Sequence, residues 1–232
     1  HVYDFEEGKW IVGSQAILDT LNLYSTIYGD EELGNVRWQL VKNGRDLSFE
    51  AFSQGEVAML VEGDYLWRSV IIPETGAFAM PNRDEVVSFA MMPAEEPGMG
   101  YRGQDFVSAS GGTGFVLNPN SANAELAWQL LQFMFSKDSV EQLNELQPRI
   151  RARTDVAVPN DPVMSLIASE VLPLSVIRPQ LPAYNQVSGQ IQLMTERIVS
   201  GEMTPEEAMA AFDAAVVEIV GEENVVRHPV GG

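Results

Sequence analysis

Cysteine is absent from the 232 residues, which removes disulfides, thiolate nucleophiles and cysteine-based zinc or iron–sulfur sites together. The only two histidines, His1 and His228, sit at the two ends of the chain, where neither is held in a preorganised site. No run of roughly eighteen apolar residues occurs, so no stretch has the length to cross a bilayer as a helix. Basic residues are scarce. Lys and Arg number 14 against 33 Asp and Glu, a formal net charge of −19, and a surface that acidic repels phosphate backbones and argues against nucleic acid as a partner. Also missing are the GxSxG, HExxH, P-loop and EF-hand patterns. The sequence offers no catalytic constellation and implies no cofactor and no metal.

What is present reads as an ordinary folded chain, with 45% hydrophobic and 20% charged residues. Size scaling predicts about 10,000 Å² of exposed surface out of roughly 37,000 Å² for the extended chain. The segment His1–Gly13 reads as a turn leading into a helix capped by Ser14, with Ile17, Leu21, Tyr24 and Tyr28 at helical spacing. A short helix carrying Phe49 and Phe52 ends at Gly55. Buried strands are expected at Glu56–Val61, Val86–Met92 and Phe115–Leu117. After the turn Asn118–Ser121, a helix presents Leu126, Leu130, Phe133 and Met134 as an apolar stripe. Ser136 caps the next helix, and Asp161 or a neighbour starts another. A longer helix spans Tyr184–Val199 and stops at Gly201. Thr204-Pro205-Glu206-Glu207 is a capping box that opens a helix running to Gly221. The tail from Arg227 onward is expected to fray. Helices outnumber short, buried strands, which gives an α/β class.

Several strings invite a chemical reading. Gly98, Gly100 and Gly103 form GxGxxG, but a dinucleotide site needs that string between a strand and a helix; here Glu95-Glu96-Pro97 precedes it, and the match reads as a loop. The adjacent acidic pairs, such as Glu31-Glu32 and Glu206-Glu207, cannot converge on one substrate atom and read as solvated surface. Arg149, Arg151 and Arg153 make a basic patch in an otherwise acidic chain. Glu56–Trp67 is more informative, because an expected strand ends at Gly63 and is followed at once by Asp64, Tyr65 and Trp67. Strand ends in α/β sheets face ligand crevices. Aromatic faces stack on the C–H faces of sugar rings, and carboxylates such as Asp64 and Glu62 accept hydrogen bonds from hydroxyls. Packing of Tyr65 and Trp67 in a following helix is the alternative. In Ser110-Gly111-Gly112-Thr113-Gly114, adjacent glycines leave backbone N–H groups open to close approach; a flexible connection is the alternative there.

The order and spacing of these segments resemble the carboxy-terminal part of bacterial extracellular solute-binding proteins of family 1, the sugar-binding components of ABC importers that include maltose-binding protein. The resemblance is carried by F-x-x-G-E-x-A-M-x-x-x-G from Phe52 to Gly63, by Ser110–Phe115 followed by Asn118–Leu131, by Ser136-Lys137-Asp138, by Pro148-Arg149, and by Gly201–Ala208. It implies a periplasmic-binding-protein-like (type II) two-lobe α/β fold, incomplete at its N-terminus. Residues 1–104 would belong to the second lobe, 105–148 to the first after a crossover, and 149–232 to helices returning to the second.

The resemblance also implies function. Tyr65 falls at a sugar-stacking position, with Trp67 just after it. Gly111 and Gly112 fall in a loop that approaches the ligand, and Tyr184 and Ser188 near further contacts. The expected protein is a non-catalytic, extracytoplasmic binder of a sugar or other small solute, periplasmic or anchored to the cell surface, serving a membrane permease. The family's export signal, its frequent lipid-attachment cysteine and most of the first lobe have no counterpart in these residues. The expected partners therefore include the missing N-terminal segment or a second copy of the chain. A ligand-sensing domain of a signalling protein and a carbohydrate-active enzyme are the alternatives.

Overall fold

The structure, a computed structural model, describes residues 2–112, 114–228 and 230. In chain order the elements are β1 Tyr3–Asp4, β2 Lys9–Val12, α1 Gln15–Ser25, α2 Val36–Leu40, α3 Gly44–Ser53, α4 Arg83–Val86, β3 Ala109–Ser110, α5 Ala124–Met134, α6 Lys137–Leu146, α7 Pro162–Leu166, β4 Val176–Ile177, α8 Tyr184–Val199, α9 Pro205–Val220 and β5 Val225–Arg227. Two compact units hold them: residues 1–48 with 179–232, and residues 49–178.

The first unit is built on a three-stranded sheet in the order β1-β2-β5, antiparallel then parallel. Where the sequence suggested a turn into a helix, Asp4 closes a hairpin. Its carboxylate accepts from the Glu6 and Glu7 backbone N–H groups at 2.8 and 2.9 Å, and those two bonds hold its pKa below the usual aspartate value. Arg227 lies in a strand, opposite Val12, instead of fraying. The parallel ladder is possible because Trp10 and Val12 put their side chains inward, where helices cover them. Those helices are α1, α8 and α9, and together they supply Ile17, Leu21, Val187, Met194, Ile198, Phe212 and Val216 to one core. Helix α9 begins as its sequence requires: the Thr204 hydroxyl accepts from the Glu207 N–H at 3.3 Å, and the Glu207 carboxylate accepts from the Thr204 N–H at 3.0 Å.

One acid in this unit is at odds with its surroundings. Asp213 Oδ1 is buried without a hydrogen-bond partner, and burial raises its pKa, against smaller lowering effects from the Gly13 N–H and the Arg227 charge. A raised folded pKa favours the protonated acid in the folded state. The corresponding stability is fully present below the ordinary aspartate value and is lost as pH rises through the higher folded value. Asp213→Asn should therefore raise the melting temperature at about pH 7 and leave it nearly unchanged at about pH 3. A lower melting temperature at neutral pH would show that the charged form is favoured where it sits.

In the second unit, Phe49, Val70, Ile71 and Met80 form a small core with Trp67, Phe78 and Leu60 packed around it. A two-stranded parallel sheet pairs β3 with β4, Ala109 with Val176 and Ser110 with Ile177. The three expected strands are not formed. Glu56–Val61 and Phe115–Leu117 carry no ladder, and Val86–Met92 begins as the end of α4 and continues without a strand ladder. A strand needs a neighbour along its length: only the Met92 end of the second segment meets one, its carbonyl accepting from the Val107 N–H at 2.9 Å, and Met59, Val61 and Val116 of the other two are exposed at 86%, 80% and 94%. The expected stripe of α5 is likewise uncovered, with Leu126, Leu130, Phe133 and Met134 all exposed. The exposed surface of the chain is 15362 Å², well above the figure from size scaling. Gly98–Gly103 forms a turn held by the Asp105 carboxylate on the Gly98 N–H at 2.8 Å, and no helix follows it.

Candidate functional site

The second unit contains a cavity of about 600 Å³, within the usual range for small-molecule sites. The turn of π-helix Leu66–Val70 brings Trp67 and Arg68 to it, α4 brings Arg83, α6 brings Glu141, Asn144 and Glu145, and the segment before α7 brings Asn160 and Asp161.

Trp67 is the best-fixed of these side chains. Its indole Nε1–H donates to Asp161 Oδ2 at 2.9 Å, and the Arg83 guanidinium lies over its ring at 3.8 Å from the centroid. Arg83 is buried and in turn donates to the Trp67 carbonyl at 2.9 Å, with its charge matched by Asp84 at 2.6 Å. Asp161 is fixed from its other oxygen, because as the N-cap of α7 it accepts from the Met164 N–H at 2.9 Å, ahead of Pro162. An aromatic edge, a carboxylate and the amides of Asn144 and Asn160 therefore share one cavity. That set can hold a polyhydroxylated ring through its hydroxyls while the indole covers apolar carbon.

The residues singled out in the sequence fall in different places. Trp67 lines the cavity. Asp64 is half-buried and occupied, its carboxylate accepting from Arg68 Nε at 2.7 Å. Tyr65 is exposed, with the Arg68 guanidinium 5.4 Å from its ring centroid, so Asp64 and Tyr65 both meet Arg68. Glu62 turns back on its neighbour and accepts from the Gly63 N–H at 2.9 Å. Gly111 and Gly112 follow β3, are exposed, and have nothing within 4 Å of where a Cβ would stand. Thr113 is outside the described residues. Tyr184 and Ser188 lie on α8 in the first unit, where Tyr184 packs against the core.

Sequence reasoning did not find Arg83 or Asn144, and it read Asp161 only as a helix start. An Asp directly before Pro is a capping signal, which says nothing about the second oxygen. Among the described residues, no group of three or more His, Asp and Glu is arranged to hold a metal ion.

Comparison with known proteins then bears on the fold. The chain is similar to an ABC-transporter solute-binding protein of Thermotoga lettingae TMO, whose crystal structure contains α-D-tagatose. The two are 27% identical and superpose with a TM-score of 0.77, over 95% of this chain and 53% of that one. This chain thus spans about half the length of that protein. The likeness supports the periplasmic-binding-protein-like α/β fold expected from the sequence. The profile of the bacterial extracellular solute-binding protein family matches residues 13–141. That match covers more than half of the sequence, and the chain belongs to the bacterial extracellular solute-binding proteins.

Proposed function

We propose that the chain is part of a non-catalytic solute-binding protein that captures a sugar or oligosaccharide and presents it to the membrane permease of an ABC importer. Family membership implies an extracytoplasmic location; residence in the periplasm or on a surface anchor is the finer part of the proposal. In the whole protein, capture works by closure of two lobes, because a ligand stabilises the closed state through contacts made only there. The division of the sequence among lobes at about residues 104 and 148 belongs to the same proposal.

The observation that carries this reading is the family match over residues 13–141. The tagatose bound to the similar Thermotoga protein supports a sugar as the solute. The indole of Trp67 beside Asp161, Asn144 and Asn160 suits a ring with apolar faces and a rim of hydroxyls. Tyr65, Asp64, Glu62, Gly111 and Gly112 are outside the lining of that cavity and are proposed as contacts from the sequence. Tyr184 and Ser188 are carried by the resemblance alone.

Titration of the purified chain with mono- and oligosaccharides, tagatose among them, and calorimetric detection tests the reading. Saturable binding of at least one sugar is expected, and Tyr65→Ala should weaken it by about 1–3 kcal/mol, the scale of a lost aromatic contact. If no sugar binds, sugar capture by this chain is wrong. Unchanged affinity in the variant removes Tyr65 from the site.

A further inference from the structure

Of the 11 residues of α5, Glu125 alone is charged, and none is buried. Helix α9, no more apolar, buries Ala208, Phe212 and Val216. A helix that is apolar on most sides belongs inside a protein, so α5 is at odds with its surroundings. Leu126, Leu130 and Phe133 share one side of it at helical spacing, and each is more than half exposed. The apolar surface continues past the end of the helix. There the ring of Phe135 meets that of Phe115 edge-on at 5.5 Å, with both side chains and the adjoining Val116 exposed. All of these residues lie in the second unit.

The chain has area enough for an interface. Its exposed surface exceeds the figure from size scaling by about 5,000 Å², and a stable dimer covers only about 800 Å² on each partner. Charge favours a second copy as the occupant. At a net charge of −19, two copies repel wherever their acidic surfaces meet. The side of α5 that holds Leu126, Leu130 and Phe133 has no charge to set against its own image across a two-fold axis. The charges flanking that side are opposite in sign. Glu125 stands at the start of α5, held only by Gln129 at 3.3 Å one turn on, and Lys137 opens α6 just beyond the end of α5, half exposed and 3.4 Å from Glu141 of its own helix. When two α5 helices pair antiparallel, Glu125 comes towards the partner's Lys137 at both ends, and flanking charges of this kind fix the orientation of paired helices.

We propose that this chain forms a two-fold dimer through the Leu126–Leu130–Phe133 side of α5 and the adjoining Phe115–Phe135 pair, with the two α5 helices antiparallel. The dimer stands independently of which solute is bound. Sedimentation equilibrium of the full chain over a concentration series tests it. The expected species has twice the chain's 25.5 kDa and gives way to monomer on dilution. Leu130→Glu should be monomeric at concentrations where the unaltered chain is dimeric, with its circular dichroism unchanged because Leu130 is exposed. Glu125→Lys and Lys137→Glu should each weaken the dimer about 3-fold or more, since each sets like charges together at both ends of the pair. The double variant should recover most of that loss. A monomer throughout the series overturns the dimer, and so does growth beyond two copies, which marks a head-to-tail contact between unlike faces. A dimer left intact by Leu130→Glu overturns this interface. Loss of the dimer in Leu130→Glu with no response to the charge reversals overturns the antiparallel pairing.

Discussion

Phe212→Ala should lower the unfolding free energy of the first unit by about 3–5 kcal/mol, the usual cost of removing a large aromatic side chain from a packed core. Phe212 is 2% exposed and stands midway along α9, in the same core as Trp10 and Val12 from the sheet and Val187 from α8. Its ring is therefore common to the sheet and both long helices, and deleting it leaves a cavity that three elements would have to close together. Urea titration followed by far-ultraviolet circular dichroism measures the loss. A change below about 1 kcal/mol would mean that the site collapses easily and that α9 is not the organising helix of this unit.

Arg83→Ala should destabilise the second unit by about 3 kcal/mol. The guanidinium is buried against the Trp67 ring, where a desolvated cation–π contact contributes about 2 kcal/mol or more. It also donates to the Trp67 carbonyl, a bond from a charged group in the range of about 1.5–3 kcal/mol. These two effects share one side chain and do not add fully. The ion pair with Asp84 adds little, because that carboxylate is 68% exposed. Arg83→Lys should fall between the two, since an ammonium keeps the charge but lacks the planar group that lies on the indole. Equal stability of the Ala variant and the unaltered chain would show that Trp67 is held by its bond to Asp161 alone. The sugar affinity proposed for this chain should fall along with stability, because Arg83 holds the indole that faces the cavity.

The helices were legible because their signals are local. The start of α9 is written in four consecutive residues, Thr204 to Glu207, and its reciprocal bonds form as that spacing requires. Ser136 and Asp161 cap α6 and α7 in the same way. The strands were not legible, since an apolar run such as Glu56–Val61 specifies extended backbone and leaves its pairing to residues elsewhere. β5 shows the opposite failure: the tail from Arg227 looked like a loose end, and Arg227 is paired because Val12 of β2, more than 200 residues earlier, lies opposite it. The candidate site divides along the same line. Trp67 was visible as an aromatic after Gly63-Asp64. Arg83 and Asp161 were not, because their roles depend on side chains 16 and 94 positions away.

The uncovered face of α5 and the unpaired segments also affect how the chain responds to denaturant and heat. With 15362 Å² already in contact with solvent, unfolding newly wets only about four-fifths of the area that size scaling assigns to a compact chain of this mass. The slope of unfolding free energy against urea and the heat-capacity increment both follow that newly wetted area. Both should be correspondingly small, so the stability curve is flatter with temperature and the urea transition broader than chain length alone would suggest.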